Sequence, residues 1–287
     1  MRLSVEAPAK INRELRVGRV RGDGYHGVFS RMVSIDLADR LSAESSNQLE
    51  FSCDDPNVPT GDANLVVRAA RLLSERAGIA PGVRLHLEKK VPTGGGLGGG
   101  SADAGVALLL LSRFWNLGPA EEARLPPLAA SLGSDVPFFL TGGQAEVTGR
   151  GEIVTPVEDF PETALLLLVP PFPISTAAVY QAYAGRGTLP VRLAVADPAH
   201  RGLLGPNDLA PAVLEVEPRM EAYLSSVAKL TEDFAISGSG ATIALATAPG
   251  VQEELGRRHP EARLFLCRTL TRRAYGLRTN PVGGSAE

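Results

Sequence analysis

Along the first forty residues apolar and polar positions recur at short spacing, and the pattern predicts strands over 2–7, 11–20 and 28–37. The last two are joined by a turn carrying Gly22, Asp23 and Gly24, which reads as a β-hairpin. Apolar residues at helical spacing from Leu65 to Leu73 follow Asp62 and Asn64, either of which suits a helix cap. Val83, Leu85 and Leu87 then alternate with Arg84, His86 and Glu88 as a strand leading into a glycine-rich loop. From Ser101 the run SADAGVALLLLSRFW has the length and residue types of a buried helix. Residues 135–152 return to short β segments broken by Gly142, Gly143 and Gly149.

Pro156 and Pro161 flank an acidic stretch, and a fresh buried strand starts at Leu165, so the chain divides into domains at 1–155 and 156–287. The second part alternates again. A helix is predicted over 213–230, strands over 234–236 and 242–246, a helix over 252–258 and a strand over 263–267. Residues 185–204 and the tail from Pro281 show no assignable pattern, and there is no repeat of fixed period.

Composition narrows the function classes. With 44% hydrophobic and 21% charged residues, the 287-residue chain can bury a sizeable core. Lys and Arg number 29 against 32 Asp and Glu, a net charge of −3, which argues against a nucleic-acid partner. Apolar runs such as Ala164 to Val169 are far too short to span a membrane, and Glu6 and Lys10 interrupt any signal-peptide core. The only cysteines, Cys53 and Cys267, form no metal or disulfide pattern, so a cytoplasmic protein is expected.

The chemistry concentrates in Gly94-Gly95-Gly96-Leu97-Gly98-Gly99-Gly100, which stands between a predicted strand and a predicted helix. Without Cβ atoms the backbone can approach a ligand closely, and the following helix adds free N–H groups and the positive end of its dipole. A phosphate cradle explains this better than a flexible surface turn. The loop also satisfies G-x-G-x-x-G, but a dinucleotide-binding unit needs an acidic strand end about 20 residues on. There, Leu117 to Glu122 reads as a loop entering a helix. No Walker A Gly-Lys-Ser/Thr and no protein-kinase HRD or DFG is present. Some other nucleotide-binding class is indicated.

Pro8-Ala9-Lys10-Ile11-Asn12, the segment from Pro92 to Ser101, and Ser237-Gly238-Ser239-Gly240-Ala241 resemble the three ordered motifs of the GHMP small-molecule kinases. Asp23-Gly24-Tyr25-His26, Gly133-Ser134-Asp135-Val136-Pro137-Phe138-Phe139, Gly149-Arg150-Gly151-Glu152 and Asn207-Asp208-Leu209 narrow the likeness. They resemble the branch that phosphorylates a cytidine diphosphate sugar alcohol in non-mevalonate isoprenoid synthesis. The resemblance implies an α+β, two-domain fold: an N-terminal ATP-binding domain with ribosomal-protein-S5-like βαβ features and a C-terminal ferredoxin-like α/β sandwich. It implies ATP and Mg²⁺ as cofactors, small-molecule partners only, and a monomer or weak homodimer that binds neither nucleic acid nor membrane.

Read alone, Lys10 is a solvated charge, Asp135 a buried turn carboxylate, and Tyr25 with His26 a cap on a hairpin. The resemblance implies more specific roles. Asp135 is the base for the acceptor hydroxyl, and Lys10 stabilises charge during transfer. Pro92, Thr93, Gly94, Gly95, Gly96, Leu97, Gly98, Gly99, Gly100, Ser101 and Asp103 bind the nucleotide, with Ser101 near the metal. Tyr25 and His26 surround the cytosine, and Asn12 and Thr176 are polar contacts to the acceptor. The alternatives are a GHMP kinase for homoserine or mevalonate, which have no base to stack, and a non-catalytic nucleotide-binding relative. Three departures from the family pattern stand out. Arg13 and Glu14 replace apolar residues, Ala102 stands where a second serine is common, and Gly105 interrupts an alanine-rich helix. The arginines at 13, 16, 19 and 21 read as solvated strand faces.

Overall fold

The computed structural model describes residues 2–185, 203–246 and 249–283. The first two predicted strands are one continuous strand, β1 (Arg2–Val20), which turns through Gly24 (φ +83°) into β2 (His26–Ser45). The ladder between them slips between Pro8 and Lys10 and again between Asn12 and Glu14, so Lys10 to Asn12 lies between two bulges.

Strand β3 (Glu50–Cys53) leads through α1 (Leu65–Ala77) to β4 (Val83–Glu88), a β-α-β crossover unit whose strands pair in parallel. Of the two candidate caps, Asn64 is the one used: its side chain accepts from Val66 N at 2.8 Å. Helix α2 (Gly99–Phe114) starts inside the glycine loop, two residues earlier than its apolar run suggests. The short helices α3 (Pro119–Glu122) and α4 (Leu125–Leu132) follow.

The expected β segments from 135 are corrected in part. Val136–Leu140 is a 3₁₀ turn, which Pro137 favours because it has no N–H for a ladder, and β5 (Gln144–Thr148) and β6 (Ile153–Pro156) come only afterwards. The departure at Gly105 has a packing reason: a Cβ there would stand 2.7 Å from Phe139 Cβ and 3.1 Å from Val136 O. Helix α2 can therefore lie directly on this turn.

The second sheet is built from β7 (Ala164–Val169), α5 (Thr176–Gly185), α6 (Ala210–Val216), α7 (Met220–Ala228), β8 (Phe234–Ile236), β9 (Ile243–Ala246), α8 (Val251–Arg258) and β10 (Arg263–Arg268). Its order, β10-β7-β9-β8, is the antiparallel arrangement of a ferredoxin-like β-α-β-β-α-β unit. The single helix predicted over 213–230 is two, because Pro218 can neither donate to the helix nor leave Glu217 helical (φ −137°, ψ +82°).

Helix α9 (Arg272–Thr279) and β11 (Val282–Gly283) return to the first sheet, where β11 pairs with β1 in the order β11-β1-β2-β4-β3. The unassigned residues 186–202 and 284–287 lie outside the described residues. Among the described residues no helix is long and apolar enough to cross a membrane.

Alternation along β1 and β7 sets the layers. Ala9 and Ile11 join Leu165, Leu167 and Val169 in an apolar layer between the sheets, while Leu166 and Leu168 face the helices of the second sheet. Lys10 and Asn12 consequently share the other face of β1, towards the glycine loop.

Candidate active site

Lys10 is 3% exposed, and its ammonium is surrounded by three acceptors. It donates to Asn12 Oδ1 at 2.6 Å and Gly96 O at 3.1 Å, and Asp135 Oδ2 lies 3.4 Å away. An ammonium has three donors, so this set fixes its position. Asn12 is fixed in turn: its Nδ2 donates to Ser30 Oγ at 2.7 Å, and Ser30 Oγ donates to Glu14 O at 2.8 Å. Asp135 precedes the 3₁₀ turn and takes Phe138 N on its backbone carbonyl, which leaves its carboxylate about one-third exposed to the cavity.

The glycine loop is tied down at both edges. Lys10 N donates to Leu97 O at 3.0 Å. From the second sheet, Ser237 Oγ donates to Gly96 O at 3.0 Å and Thr242 N to Gly95 O at 3.1 Å. Gly96 has φ +76°, and a Cβ on it would stand 2.1 Å from Ser237 O, so conformation and contact both require glycine. Helix α2 begins at Gly98 with no side-chain cap, which leaves the amides of its first turn free to meet an anion.

Beneath the loop Lys89 is enclosed by Asp39 and Asp103, all three buried. Lys89 Nζ donates to Asp103 Oδ2 at 2.9 Å and also to Asp39, while Asp39 Oδ1 accepts Lys90 N at 2.5 Å and Val91 N at 2.8 Å. Asp103 Oδ1 has no partner. Burial, opposed by Lys89 and reinforced by Asp39, pushes the Asp103 carboxyl up to about 8. Burial would lower Lys89, but the two carboxylates outweigh it and raise it.

At the other end His26 Nδ1 lies 2.7 Å from Gly18 O. A carbonyl only accepts, so Nδ1 carries the hydrogen and Nε2 of the neutral ring is an acceptor. The His26 ring packs against Tyr180 and Tyr183, each with centroids 5.6 Å away. Tyr25 is half-exposed under the Arg150 guanidinium, 5.0 Å from the ring centroid. Burial, with Asp135 and Tyr183 adding to it, raises the Tyr180 hydroxyl far above the usual phenol range. Thr176 Oγ1 lies 2.7 Å from Ser239 Oγ.

Every residue to which the resemblance gives a catalytic, nucleotide or acceptor role lines one cavity of about 940 Å³, from Tyr25 and His26 past Lys10 and Asp135 to the glycine loop. The same cavity is lined by Arg150, Tyr180, Ser239 and the Asn57–Pro59 stretch, which sequence reasoning did not select. Arg150 lay within a quoted motif, and Tyr180 falls one helical turn after Thr176; both signals were available. The departing residues Arg13 and Glu14 are half-buried or buried and paired: Arg13 Nε donates to Leu203 O at 2.6 Å, and Glu14 holds Arg16 at 2.9 Å. Of the four arginines read as solvated strand faces, Arg13 and Arg16 are instead paired and half-buried, while Arg19 and Arg21 are exposed.

The cavity can take a nucleotide at the uncapped helix end. Among the described residues there is no group of three or more His, Cys, Asp or Glu able to hold a metal ion. The Ser101 hydroxyl, in the first turn of α2, lines the cavity and is a protein oxygen that a phosphate-bound cation would meet.

The model of the GHMP kinases N terminal domain matches residues 64–143. The 4-diphosphocytidyl-2-C-methyl-D-erythritol kinase of Salinibacter ruber is 37% identical over 254 residues, covering 85% of this chain and 89% of that protein. The enzyme of that name from Synechococcus sp. strain CC9605 is 45% identical over 184 residues, where the alignment spans 62% of this chain and 60% of that protein. A crystal structure of 4-(cytidine 5'-diphospho)-2C-methyl-D-erythritol kinase superposes with a TM-score of 0.76 at 33% identity, covering 93% of this chain and 98% of the other.

Proposed function

From a chain that belongs to the 4-diphosphocytidyl-2-C-methyl-D-erythritol kinase family of GHMP kinases, we infer an ATP-dependent kinase that phosphorylates the 2-hydroxyl of 4-diphosphocytidyl-2-C-methyl-D-erythritol. The observation that carries the reading is the Lys10–Asp135 pair, standing in one cavity between an uncapped, glycine-lined helix end and an aromatic end.

The amides of Gly99 to Ser101 and the dipole of α2 hold the nucleotide phosphates. Tyr25 and His26 hold the cytosine, with His26 Nε2 accepting from the exocyclic amine. Asn12 and Thr176 orient the acceptor. Asp135 takes the proton from the acceptor hydroxyl as the phosphoryl group arrives, and Lys10 offsets negative charge on the transferring oxygens. Phosphoryl transfer has a loose transition state, so the fixed position of Lys10 contributes as much as proton removal. The Ser101 hydroxyl, together with the nucleotide phosphates, would hold Mg²⁺, which would supply further charge neutralisation. Asp103 supports the loop from below through Lys89 as part of the nucleotide site.

The domain division at 155/156 belongs to the same reading: β6 ends at Pro156 and the second sheet opens at Ala164, with α9 and β11 returning as a C-terminal strap. The same reading carries the proposal of a monomer or weak homodimer working in the cytoplasm.

The test is ADP release from Mg·ATP with 4-diphosphocytidyl-2-C-methyl-D-erythritol, homoserine and mevalonate as parallel acceptors, with phosphorus NMR of the product. A new phosphate monoester on the cytidyl acceptor alone is expected. Transfer only to homoserine or mevalonate would overturn the acceptor assignment.

A further inference from the structure

Asn207 lines no part of the cavity, yet its side chain uses every hydrogen-bonding atom it has on one task. Nδ2 donates to Ile236 O at 2.8 Å and to Gly238 O at 2.7 Å, and Oδ1 accepts from Leu209 N at 2.9 Å. The two carbonyls bracket Ser237, whose hydroxyl donates to Gly96 O. A Cβ on Gly238 would stand 3.3 Å from Asn12 Oδ1 and 3.5 Å from Lys10 Nζ, so the backbone Asn207 grips packs directly on the ammonium and its partner.

Asn207 is itself anchored to the first sheet. Leu15 N donates to Pro206 O at 3.0 Å, Asp208 N to Leu15 O at 2.9 Å and Val17 N to Asp208 Oδ2 at 3.0 Å. The residues from 206 to 208 thus form a strap that pairs in parallel with β1 at Leu15 and Asn207, five residues beyond Lys10.

We propose that Asn207 is a positioning residue for phosphoryl transfer: held against β1 by the bonds of its neighbours Pro206 and Asp208, and bonded to the Ser237–Gly238 loop through its amide, it fixes that loop against Gly96 and Lys10. The proposal rests on the kinase reading above. The physical reason for an asparagine is specific. Two carbonyl oxygens less than 3 Å from one atom require a donor with two hydrogens, and a carboxylate of the same shape would repel both.

Asn207→Asp keeps the shape and removes both donors. If the loop then leaves Gly96, kcat falls about 10²-fold, the cost of a roughly 1 Å misplacement. The KM for the acceptor changes less than kcat, because Tyr25 and His26, which hold the cytosine, lie away from the loop, although Asn12 and Thr176 touch it. Combined with Ser237→Ala, which cuts the same loop contact, the loss is far from additive, whereas independent structural damage would multiply.

Amide exchange by mass spectrometry gives a readout that does not require turnover. Exchange should rise over 93–98 and 236–242 and stay unchanged over 66–73 in α1. Unchanged exchange over the two loops, or wild-type kcat in Asn207→Asp, would overturn the proposal. Multiplying losses in the double variant would overturn it as well. Wild-type protein that transfers no phosphate would instead overturn the kinase reading, and the exchange data would still decide whether Asn207 holds the loop.

Discussion

Asp135→Asn separates chemistry from stability. In the structure Asp135 contributes an ion pair to Lys10 at 3.4 Å from a carboxylate about one-third exposed, while Asn12 and Gly96 O keep their bonds to the ammonium. Partly solvated pairs of this kind are worth about 0.5–1 kcal/mol. For a chain of this size that corresponds to a fall in Tm of about 1–4 °C. Asparagine still presents an oxygen to Lys10 but cannot take a proton. Loss of a general base costs about 10²–10⁴ in kcat, or ~2.7–5.4 kcal/mol of barrier. The KM for ATP should hardly change, because the glycine loop is tied to Lys10 N, Ser237 and Thr242 rather than to Asp135. Steady-state ADP release and differential scanning calorimetry on the same preparation test both halves. A kcat within about threefold of wild type would remove Asp135 as the base. A fall in Tm of more than about 10 °C would show that the pair holds the fold and would refute the separation.

Gly96→Ala should lower kcat and weaken ATP binding together, because a Cβ 2.1 Å from Ser237 O must push the two loops apart; isothermal titration with ATP checks the binding half. Tyr25→Ala should raise the acceptor KM by about 5–150-fold, the equivalent of ~1–3 kcal/mol of base stacking, with the KM for ATP unchanged. Asp103→Asn should flatten the dependence of Tm on pH. The folded carboxyl, pushed up to about 8 by burial, binds a proton more tightly than the unfolded one, so its contribution is fully present below the unfolded value and is lost as pH rises towards 8. Wild-type Tm should therefore drop relative to Asp103→Asn between pH 5 and pH 9, and parallel melting curves would refute the buried-charge account.

Much of this was legible along the chain because it is local. The cap at Asn64, the turn at Gly24, the alternation of β4 and the glycine loop before α2 each depend on a few neighbouring residues. The 3₁₀ turn at Val136–Leu140 and the break at Pro218 were signalled by prolines, yet apolar periodicity outweighed them in the reading. The return of α9 and β11 to the first sheet had no local signal, since pairing with β1 spans nearly the whole chain.

The site divides in the same way. The glycine loop stood out by residue type and placement alone, whereas Lys10, Asp135 and the Tyr25-His26 pair were singled out only through the resemblance to the GHMP kinases, because read alone each is an ordinary surface or turn residue. Only the folded chain decided what surrounds them. The Ser237 loop crossing from the second sheet to Gly96 and to Asn12 N, the bracketing of Lys89 by Asp39 and Asp103, and the grip of Asn207 on Gly238 join residues up to 225 positions apart. Such contacts are made by backbone carbonyls and common polar side chains, whose meaning depends on which groups packing brings within about 3 Å of them.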